Sequence, residues 1–372
     1  MRVMTILGTR PEVIRLSLII KLLDKCSDHV LVHTGQNYDD RLSGIFFREL
    51  GLRNPDVSLG IKGTGFADQV GQIIVQSEKA FREYHPDRLL ILGDTNSGLA
   101  SLVARRLGMP VYHMEAGNRC YDDRVPEEVN RRVIDHSSSV LMPYTHRSRE
   151  NLLKEGISGE QIYVIGNPIN EVIDHYEKEI ASSTVMNDYG LTEGKFFLVT
   201  MHRAENVDIY QRLKALVEAM ALLRKTYKYP VVCSFHPHTR DKVESFGIDI
   251  GHSGLRFVEP LGFFDFIQME KAAFCIISDS GTVQEEACIL RIPNVTIRDV
   301  TERPETVECG SNMLAGVDPE QILSSVSLVT GGGCAWRIPA EYKVDNVSET
   351  VCRIMLSKRI GDLAEVGWRI SV

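Results

Sequence analysis

Two carboxylates in the first half of the chain follow short apolar runs. Asp94 comes directly after the run R-L-L-I-L-G, and Glu115 comes directly after V-Y-H-M. Carboxylates at the ends of neighbouring strands would face one cleft, where partial burial raises the pKa of at least one of them toward the range that suits proton transfer. For each acid alone a structural role is the commoner explanation, a helix N-cap for Asp94 and a hydrogen-bonding anchor for Glu115.

A third acid and a histidine extend this set. Glu127 lies in the segment P-E-E-V-N-R-R, which begins a predicted helix. Acids suit a first helical turn, and Glu127 and Glu128 each have an arginine four residues later, so helix stabilisation is a sufficient explanation by itself. His202 follows the first predicted strand of the second half, and we expect it to enter the cleft opposite Asp94, although a lone histidine is more often structural. The four residues together could move protons on and off a substrate.

Several segments could bind an anionic ligand. Arg10 lies in T-R-P-E, a capping box with proline in the first turn, so it stands beside the positive end of a predicted helix. The segment S-D-S-G-T-V-Q-E-E at 278–286 runs from a strand through small residues into a helix, which lets backbone amides approach a diphosphate. An acid one turn later could accept hydrogen bonds from a ribose, although these residues also fit a second capping box. Arg298 and Arg303 follow near the same edge and could equally be solvated.

Composition argues against several other kinds of chemistry. No G-x-G-x-x-G motif occurs, so a nicotinamide enzyme loses its main support and no cofactor is expected. The 8 cysteines are scattered without a C-x-x-C pair, which fits neither a zinc site nor a disulfide framework and favours a reducing compartment. The net charge of -8 argues against non-specific nucleic-acid binding, and no apolar run approaches ~20 residues. Polar residues come too early in M-R-V-M-T-I-L-G-T-R-P-E for a signal peptide. These features predict a cytoplasmic enzyme with no metal, nucleic-acid or membrane partner.

A scaffold of alternating strands and helices must position these residues. Near-continuous apolar runs are typical of parallel strands covered on both faces, and they predict strands at 2–8, 29–35, 88–94, 110–116, 139–144 and 161–166, then at 195–201, 230–236, 255–260, 274–280 and 294–298. Amphipathic helical segments such as 11–26, 66–84 and 126–136 lie between them. This alternation predicts an α/β protein of two Rossmann-like doubly wound domains, with the active site in the interdomain cleft.

The polar stretch 169–194 is the predicted connection between the domains. With 372 residues the chain exceeds one ordinary core, so two domains are expected. The predicted boundaries are 1–172 for an N-terminal Rossmann-like domain, 173–355 for a C-terminal Rossmann-like domain that carries the predicted nucleotide site, and 356–372 for a C-terminal tail that packs back on the N-terminal domain.

Taken together, these segments resemble the non-hydrolysing UDP-N-acetylglucosamine 2-epimerase family. The likeness covers nearly the whole chain and keeps, in order, the motifs GTRPE, GDT, HMEAGNR, PEEVNRR, HR-x-EN, SFHP, SDSGTVQEEA and ERPET. Any one of these motifs is a weak signal, but eight of them in order are highly specific. The resemblance implies a glycosyltransferase-B-like pair of domains, a UDP-linked amino sugar as substrate and a homodimer.

The resemblance also implies a mechanism. A base removes the proton at sugar carbon 2 while UDP departs from carbon 1, which leaves an enzyme-bound 2-acetamidoglycal; UDP then returns, and a proton is delivered to the opposite face. The catalytic positions of the family fall on Asp94, Glu115, Glu127 and His202, and the acid that serves each face stays open. The Glu286 carboxylate would bind the ribose. The UDP-binding positions as a group are Arg10, His236, Ser280, Gly281, Glu286 and Arg303.

The chain departs from the commoner glucosamine enzymes at several positions. Arg15 replaces a lysine, Asn37 lies where a Gln-His pair is associated with an activating second UDP-sugar, and His238 replaces an asparagine. Asn118 replaces the leucine of E-A-G-L-R. These features resemble the subgroup that converts UDP-2-acetamido-2,6-dideoxy-L-talose to UDP-N-acetyl-L-fucosamine for capsule or O-antigen. The alternative is a UDP-GlcNAc/UDP-ManNAc 2-epimerase.

Three rival functions are compatible with parts of this pattern. A retaining UDP-sugar glycosyltransferase would share the fold and the UDP site, but it needs an acceptor groove. A catalytically silent nucleotide-sugar sensor would have no use for the four proton-transfer residues, and a hydrolysing epimerase would release UDP and free sugar. Acids clustered around one sugar ring favour the non-hydrolysing epimerase.

Overall fold

Strands and helices alternate along almost the whole chain. The computed structural model describes residues 1–35, 44–63, 65–235, 237–250 and 255–358. The elements of the first half are β1 Arg2–Leu7, α1 Arg10–Cys26, β2 Asp28–His33, α2 Ile45–Glu49, β3 Val57–Ser58, α3 Phe66–Tyr84, β4 Arg88–Leu92, α4 Ala100–Arg106, β5 Val111–Met114, α5 Pro126–His136, β6 Val140–Met142, α6 His146–Lys154 and α7 Pro168–His175. Those of the second half are α8 Glu177–Ala181, α9 Val185–Asp188, β7 Phe197–Met201, α10 Ala204–Val207, α11 Tyr210–Tyr227, β8 Val231–Phe235, α12 Pro237–Ser245, β9 Arg256–Val258, α13 Phe263–Ala272, β10 Cys275–Ser278, α14 Gly281–Leu290, β11 Asn294–Thr296, α15 Pro304–Glu308, β12 Asn312–Leu314, α16 Pro319–Gly331 and α17 Val347–Leu356.

The strands form two parallel sheets of the same topology. One has the order β3-β2-β1-β4-β5-β6 and the other β12-β11-β10-β7-β8-β9, and the second order repeats the first when it is read from its other edge. This is the doubly wound order, which reverses direction beside the first strand of each sheet. Two Rossmann-like doubly wound domains are therefore confirmed.

Helices cover both faces of each sheet, because the strands are apolar on both sides. In β7, Phe197 and Val199 pack into one hydrophobic cluster, and the alternate residue Leu198 packs into another on the opposite face. In β4, Leu89, Leu90 and Ile91 are all fully buried. Such runs without alternation distinguish covered parallel strands from half-exposed ones.

The chain forms two compact units. Unit 1 comprises Met1–Val172 and the chain from Glu341 onward, and unit 2 comprises Ile173–Ala340. The first boundary coincides with the predicted one at 172, but the assignment of all of 173–355 to the second domain was wrong after Ala340.

The segment after Ala340 belongs to unit 1 because it makes hydrogen bonds and packing contacts with that unit. The Asn167 backbone N–H donates to the Glu341 carbonyl at 2.8 Å, and Arg88 donates to the Met355 carbonyl. Helix α17 packs on α1, and the Val351 and Met355 side chains of α17 are fully buried. Residues 359–372 of the predicted tail lie outside the described residues.

The predicted strands and the observed ones differ at the sheet edges. The predicted strand at 161–166 is wrong, because Ile162 makes only an isolated bridge to Leu141. The edge strands β3 and β12 were not predicted; they span 2 and 3 residues, which is too short for a recognisable apolar run. No described helix has the length and apolar character needed to span a membrane.

Candidate active site and nucleotide-binding site

In unit 1, Asp94 and Glu115 leave the sheet side by side. Their strands β4 and β5 are neighbours, and the register pairs Leu92 with Met114. Both acids therefore follow the carboxyl ends of adjacent parallel strands, the edge where ligands bind in such sheets. Glu115 has a φ of 65°, a left-handed conformation that costs a residue with a Cβ about 1 kcal/mol or more and is concentrated at functional sites.

Helix α5 holds Asp94 in place. Asp94 Oδ2 accepts hydrogen bonds from Arg131 Nη2 at 2.5 Å and Nε at 3.1 Å, and the Asp94 carbonyl accepts one from Asn130 Nδ2 at 3.1 Å. The Asp94 side chain stays 23% exposed, so the carboxylate can still meet a ligand. The N-cap of the following short 3₁₀ helix is Thr95, so Asp94 is not the helix cap that a structural role would require.

Arg15 of α1 pairs with Glu115. Arg15 Nη1 donates to Glu115 Oε2 at 3.0 Å, and Asn118 Nδ2 lies 3.4 Å from Glu115 Oε1. The Arg15 guanidinium is almost wholly buried and lies over the ring of Tyr144, 5.7 Å from its centroid. The buried Arg15 guanidinium therefore gives the Glu115 carboxylate a charged partner in a fixed position.

The two acids of the first turn of α5 differ in environment. Glu127 is partly exposed, whereas Glu128 is fully buried and accepts from the backbone N–H of Cys120 at 3.1 Å and of Tyr121 at 3.0 Å. Burial alone would raise the pKa of Glu128, but the Cys120 N–H group and Arg131, at 2.7 Å, outweigh it and lower the pKa. Glu128 therefore anchors the loop after β5, and Glu127 is the acid of this turn that stays accessible.

The first turn of α1 is braced by Glu12. Its carboxylate accepts from the Gly8 and Thr9 backbone N–H groups, both at 2.7 Å, and from the Thr95 hydroxyl at 2.7 Å, which ties this turn to the loop of Asp94. Burial raises the pKa of Glu12 despite these bonds. Arg10 lies at the first residue of α1 with its guanidinium 5.8 Å from the centre of the Phe46 ring, and it has no ion-pair partner within the described part of the chain.

A buried network beneath these loops was not anticipated from the sequence. His113 Nδ1 lies 2.9 Å from Asp135 Oδ1, and Arg119 Nη2 lies 2.8 Å from Asp135 Oδ2. The Gly117 N–H also donates to Asp135, at 3.1 Å, and His113 Nε2 lies 2.8 Å from the Gly93 carbonyl. The network fixes the loops that carry Asp94 and Glu115. The histidine inside the apolar strand V-Y-H-M is the sequence feature that could have indicated this network.

In unit 2, His202 is oriented by Asp279, the aspartate of the S-D-S-G segment. His202 Nδ1 lies 3.1 Å from Asp279 Oδ1, and the same carboxylate accepts from the backbone N–H groups of His202 and Arg203, each at 3.0 Å. Burial would raise the pKa of Asp279, but the His202 side chain and the backbone N–H of Arg203 lower it to about 2. The His202 side chain is 43% exposed. A ring anchored at Nδ1 has Nε2 available for a ligand or a proton.

The turn after β10 opens helix α14. Ser280 is the N-cap residue, and its hydroxyl lies 3.0 Å from that of Thr282. A Cβ built on Gly281 would lie 2.9 Å from Glu302 Oε1, so any larger residue would displace that carboxylate. The first turn of α14 can therefore present backbone N–H groups to an anion at the positive end of the helix.

Two further predicted residues, Arg303 and Glu286, lie on or near α14. Arg303 Nε contacts Glu285 Oε1 at 2.5 Å, and both side chains are buried. Glu286 is 6% exposed. His236 lies outside the described residues. The structure thus brings Asp94 and Glu115 together in unit 1, and Ser280, Gly281 and Arg303 together in unit 2. No cluster suited to a metal ion occurs within the described ranges.

Comparisons with known proteins identify the family. Residues 22–356 match the family model described as UDP-N-acetylglucosamine 2-epimerase. The chain belongs to this 2-epimerase family. A UDP-N-acetylglucosamine 2-epimerase of Methanocaldococcus jannaschii is 40% identical over 348 residues, which cover 91% of this chain and 95% of the relative. The crystal structure of a UDP-GlcNAc 2-epimerase from that organism, in complex with UDP-GlcNAc and UDP, superposes with a TM-score of 0.91 at 38% identity and covers 95% of this chain and 99% of that one.

Two further comparisons show a lower similarity to this chain. A UDP-2,3-diacetamido-2,3-dideoxy-D-glucuronate 2-epimerase of Pseudomonas aeruginosa is 34% identical over 334 residues, covering 89% of this chain and 93% of the relative. WaaG, a glycosyltransferase involved in lipopolysaccharide biosynthesis, shares only the fold, at 12% identity and a TM-score of 0.57 over 98% of each chain. The 2-epimerases form an isomerase family, so the prediction of an isomerase is confirmed, whereas no finding singles out the L-fucosamine subgroup.

Proposed function

We propose that the protein epimerises a UDP-N-acetylated amino sugar at carbon 2 by eliminating and re-adding UDP. In the first step a base takes the carbon-2 proton, the C–H electrons form the carbon 1–carbon 2 double bond, and the carbon 1–oxygen bond breaks to release UDP. In the second step the diphosphate oxygen returns to carbon 1, and an acid protonates carbon 2 on the opposite face. No net oxidation and no water enter this sequence.

The main support is the pair Asp94 and Glu115 at adjacent strand ends in a chain of this family. Each carboxylate has an arginine partner that fixes its position, and a carboxylate in a fixed position can take a proton from a bound sugar. Glu127, on the helix that binds Asp94, and His202, held by Asp279, complete the proposed proton-transfer set. These four residues serve two faces of one sugar ring in the proposal.

The departing UDP needs positive charge where its negative charge develops. We assign this role to Arg10, Arg303, His236 and the first turn of α14 at Ser280 and Gly281. Glu286 would accept hydrogen bonds from the ribose hydroxyls in this assignment. No cofactor enters the proposal, because the base, the acid and the leaving group account for every bond that changes.

The decisive experiment is isotope exchange. In deuterium oxide the product should carry deuterium at carbon 2, and ¹⁸O placed in the bridge between carbon 1 and the diphosphate should scramble into non-bridging positions. Product that retains its carbon-2 hydrogen and an unscrambled bridge would refute the elimination. Incubation with UDP-sugar alone separates the rivals, since only an epimerase equilibrates it and a hydrolysing enzyme releases stoichiometric UDP.

For the sugar, we propose UDP-2-acetamido-2,6-dideoxy-L-talose, converted to UDP-N-acetyl-L-fucosamine for capsule or O-antigen. The support is Arg15, which pairs with Glu115 where the commoner enzymes have a lysine, together with His238, which lies 2.8 Å from Asp208. UDP-GlcNAc is the second candidate, and the 40% identity to a UDP-N-acetylglucosamine 2-epimerase supports it. An NMR assay of both nucleotides decides: a kcat/KM for the L-talo sugar at or below that for UDP-GlcNAc would overturn the proposed substrate.

We further propose that the protein is a homodimer, as the family resemblance implies. Light scattering should then give twice the chain mass of 41.8 kDa. A mass equal to that of one chain at assay concentrations would contradict the dimer and leave the epimerase proposal intact.

A further inference from the structure

An acid is buried in α13 of unit 2 without a hydrogen-bond donor. Glu270 is 0% exposed, and neither of its carboxyl oxygens receives a hydrogen bond from a donor among the described residues. An ionised carboxylate in such surroundings costs several kcal/mol unless a cation or donors compensate it. Glu270 is therefore not explained as an ordinary structural carboxylate.

The group that acts on Glu270 is a second acid, Glu286 of the neighbouring helix α14. The two carboxyls lie within hydrogen-bonding reach, and Glu286 is itself only 6% exposed. Two carboxylates cannot bond to each other, so a contact of this kind requires a proton on one of them. Burial, together with the negative charge of Glu286, raises the pKa of Glu270 well above its ordinary value.

The charged groups on the described elements packed against α13 do not neutralise Glu270. On α8, Glu177 binds Lys271 at 2.7 Å, and Lys178 and Glu179 are exposed. Asp188 of α9 accepts from Thr184 at 2.8 Å, and Asp265 of α13 accepts from Ser183 at 2.6 Å. Glu285 of α14 binds Arg303 at 2.5 Å. Burial and Glu286 are the influences on the Glu270 carboxyl, and both favour its protonated form.

We infer that Glu270 is a positioning residue of the nucleotide site: as a neutral acid it donates a hydrogen bond to Glu286 and keeps Glu286 an oriented carboxylate for the two ribose hydroxyls. This inference rests on the ribose role proposed above for Glu286. A vicinal diol donates two hydrogen bonds to one carboxylate, which draws the negative charge of the pair to Glu286 and the shared proton to Glu270.

Alkaline pH tests this arrangement. When Glu270 loses its proton, a second negative charge appears beside Glu286 and the donor is lost, so the wild-type affinity for UDP should fall. Glu270→Gln keeps an N–H donor that does not ionise. It should bind UDP like the wild type near neutral pH and lack the alkaline loss. Glu270→Leu removes the donor at every pH, and Asp265→Asn on the same helix is the matched control.

The experiment is titration calorimetry of the full-length protein with UDP and with 2′,3′-dideoxy-UDP, from about pH 6 to about pH 9.5. We expect the wild type to prefer UDP by about tenfold, the size of a lost hydrogen bond to a charged acceptor. Glu286→Gln should lose the preference, Glu270→Leu should lose most of it, and Glu270→Gln should keep it at every pH.

The outcomes separate this inference from the proposed function. Wild-type protein that binds neither nucleotide would count against the UDP site as a whole. If Glu286→Gln loses the preference but the wild-type and Glu270→Gln pH profiles coincide, Glu270 has no positioning role and the UDP site stands. If Glu270→Leu does not fold, as checked by circular dichroism, the comparison of those two profiles still decides.

Discussion

At the scale of single residues, the proposed catalytic acids are constrained by arginines. Arg131 binds Asp94, and Arg15 binds Glu115, each through direct N–H···O contacts. A carboxylate with a fixed cation keeps both its charge and its direction, which a proton acceptor needs before substrate arrives. The arginines are more buried than the acids they bind, so ligand meets the acids first.

The first prediction concerns these acids. Asp94→Asn, Glu115→Gln and Glu127→Gln should each lower kcat by ~10²-fold or more, because an amide cannot accept the carbon-2 proton. The affinity for UDP, measured by calorimetry, should stay within about threefold, since these residues act on the sugar. Glu83→Gln, on an exposed part of α3, is the control. Normal turnover of Glu127→Gln would instead indicate that Glu127 only stabilises the first turn of α5.

The second prediction concerns Asp279 and its pKa of about 2. This value lies below the ordinary 3.8, so the carboxylate stabilises the folded state above about pH 4 and loses that effect as pH falls toward 2. Asp279→Asn should cost about 2 kcal/mol near neutral pH, and its deficit in Tm should shrink between about pH 4 and about pH 2. Asp241→Asn, in an exposed position, should show no such pH-dependent difference. A deficit that stays constant down to the acid limit would mean that the effect is not the lost charge.

At the scale of elements, the turn from β10 into α14 determines how closely an anion can approach. Gly281 is enclosed by Glu302, whose other oxygen binds Arg298 at 2.8 Å. A side chain at this position would therefore disturb a buried ion pair and also cover the first N–H groups of the helix.

The third prediction follows from this enclosure. Gly281→Ala should weaken UDP binding by about tenfold or more, because a methyl group forces Glu302 to move and blocks the helix N-terminus. Gly331→Ala is the matched control, since a Cβ there meets nothing within 4 Å. Equal affinities of both variants for UDP, measured by calorimetry, would refute the phosphate role of this turn.

Strands and helices were predicted correctly where they depend on residues that are close together in the sequence. The apolar run L-L-I-L of β4 and the capping residues of α1 act through neighbours in sequence, and both elements were predicted. The strand predicted at 161–166 was wrong because an apolar run forms a strand only when it pairs along its length with a partner strand. Ile162 is apolar, but among the described residues it forms only an isolated bridge to Leu141. The pairing of Arg131 with Asp94 and the proton shared by Glu270 and Glu286 join distant segments, so no local pattern shows them.

At the scale of the whole molecule, regulation is open to test. The commoner enzymes are associated with activation by a second UDP-sugar through a Gln-His pair, and this chain has Asn37 there, outside the described residues. His238 also departs from the usual asparagine, and its ring contacts Asp208 at 2.8 Å.

The fourth prediction is that the protein needs no activation by UDP-GlcNAc. Progress curves with the preferred substrate should be linear from the start, and added UDP-GlcNAc should act only as a competitor, because allostery requires a second site whose occupancy changes the first. A lag or a sigmoidal rate that UDP-GlcNAc abolishes would contradict this. It would also shift the substrate assignment toward the plain UDP-GlcNAc enzyme.

The last prediction tests whether helix α17 contributes to the stability of unit 1. Helix α17 begins 175 residues after Val172, where the first segment of that unit ends, and its Val351 and Met355 side chains are fully buried. Met355→Ala should cost about 2–5 kcal/mol, the range for truncating a buried methionine, whereas Arg353→Ala on the exposed side of α17 should stay within about 0.5 kcal/mol. Differential scanning calorimetry of the full chain measures both. Because α17 belongs to the cooperative core of unit 1, Met355→Ala should lower the unfolding temperature of that unit and leave UDP affinity at temperatures below it unchanged. If Met355→Ala matched Arg353→Ala, α17 would be only a surface attachment, and the boundary at Ala340 would have no energetic meaning.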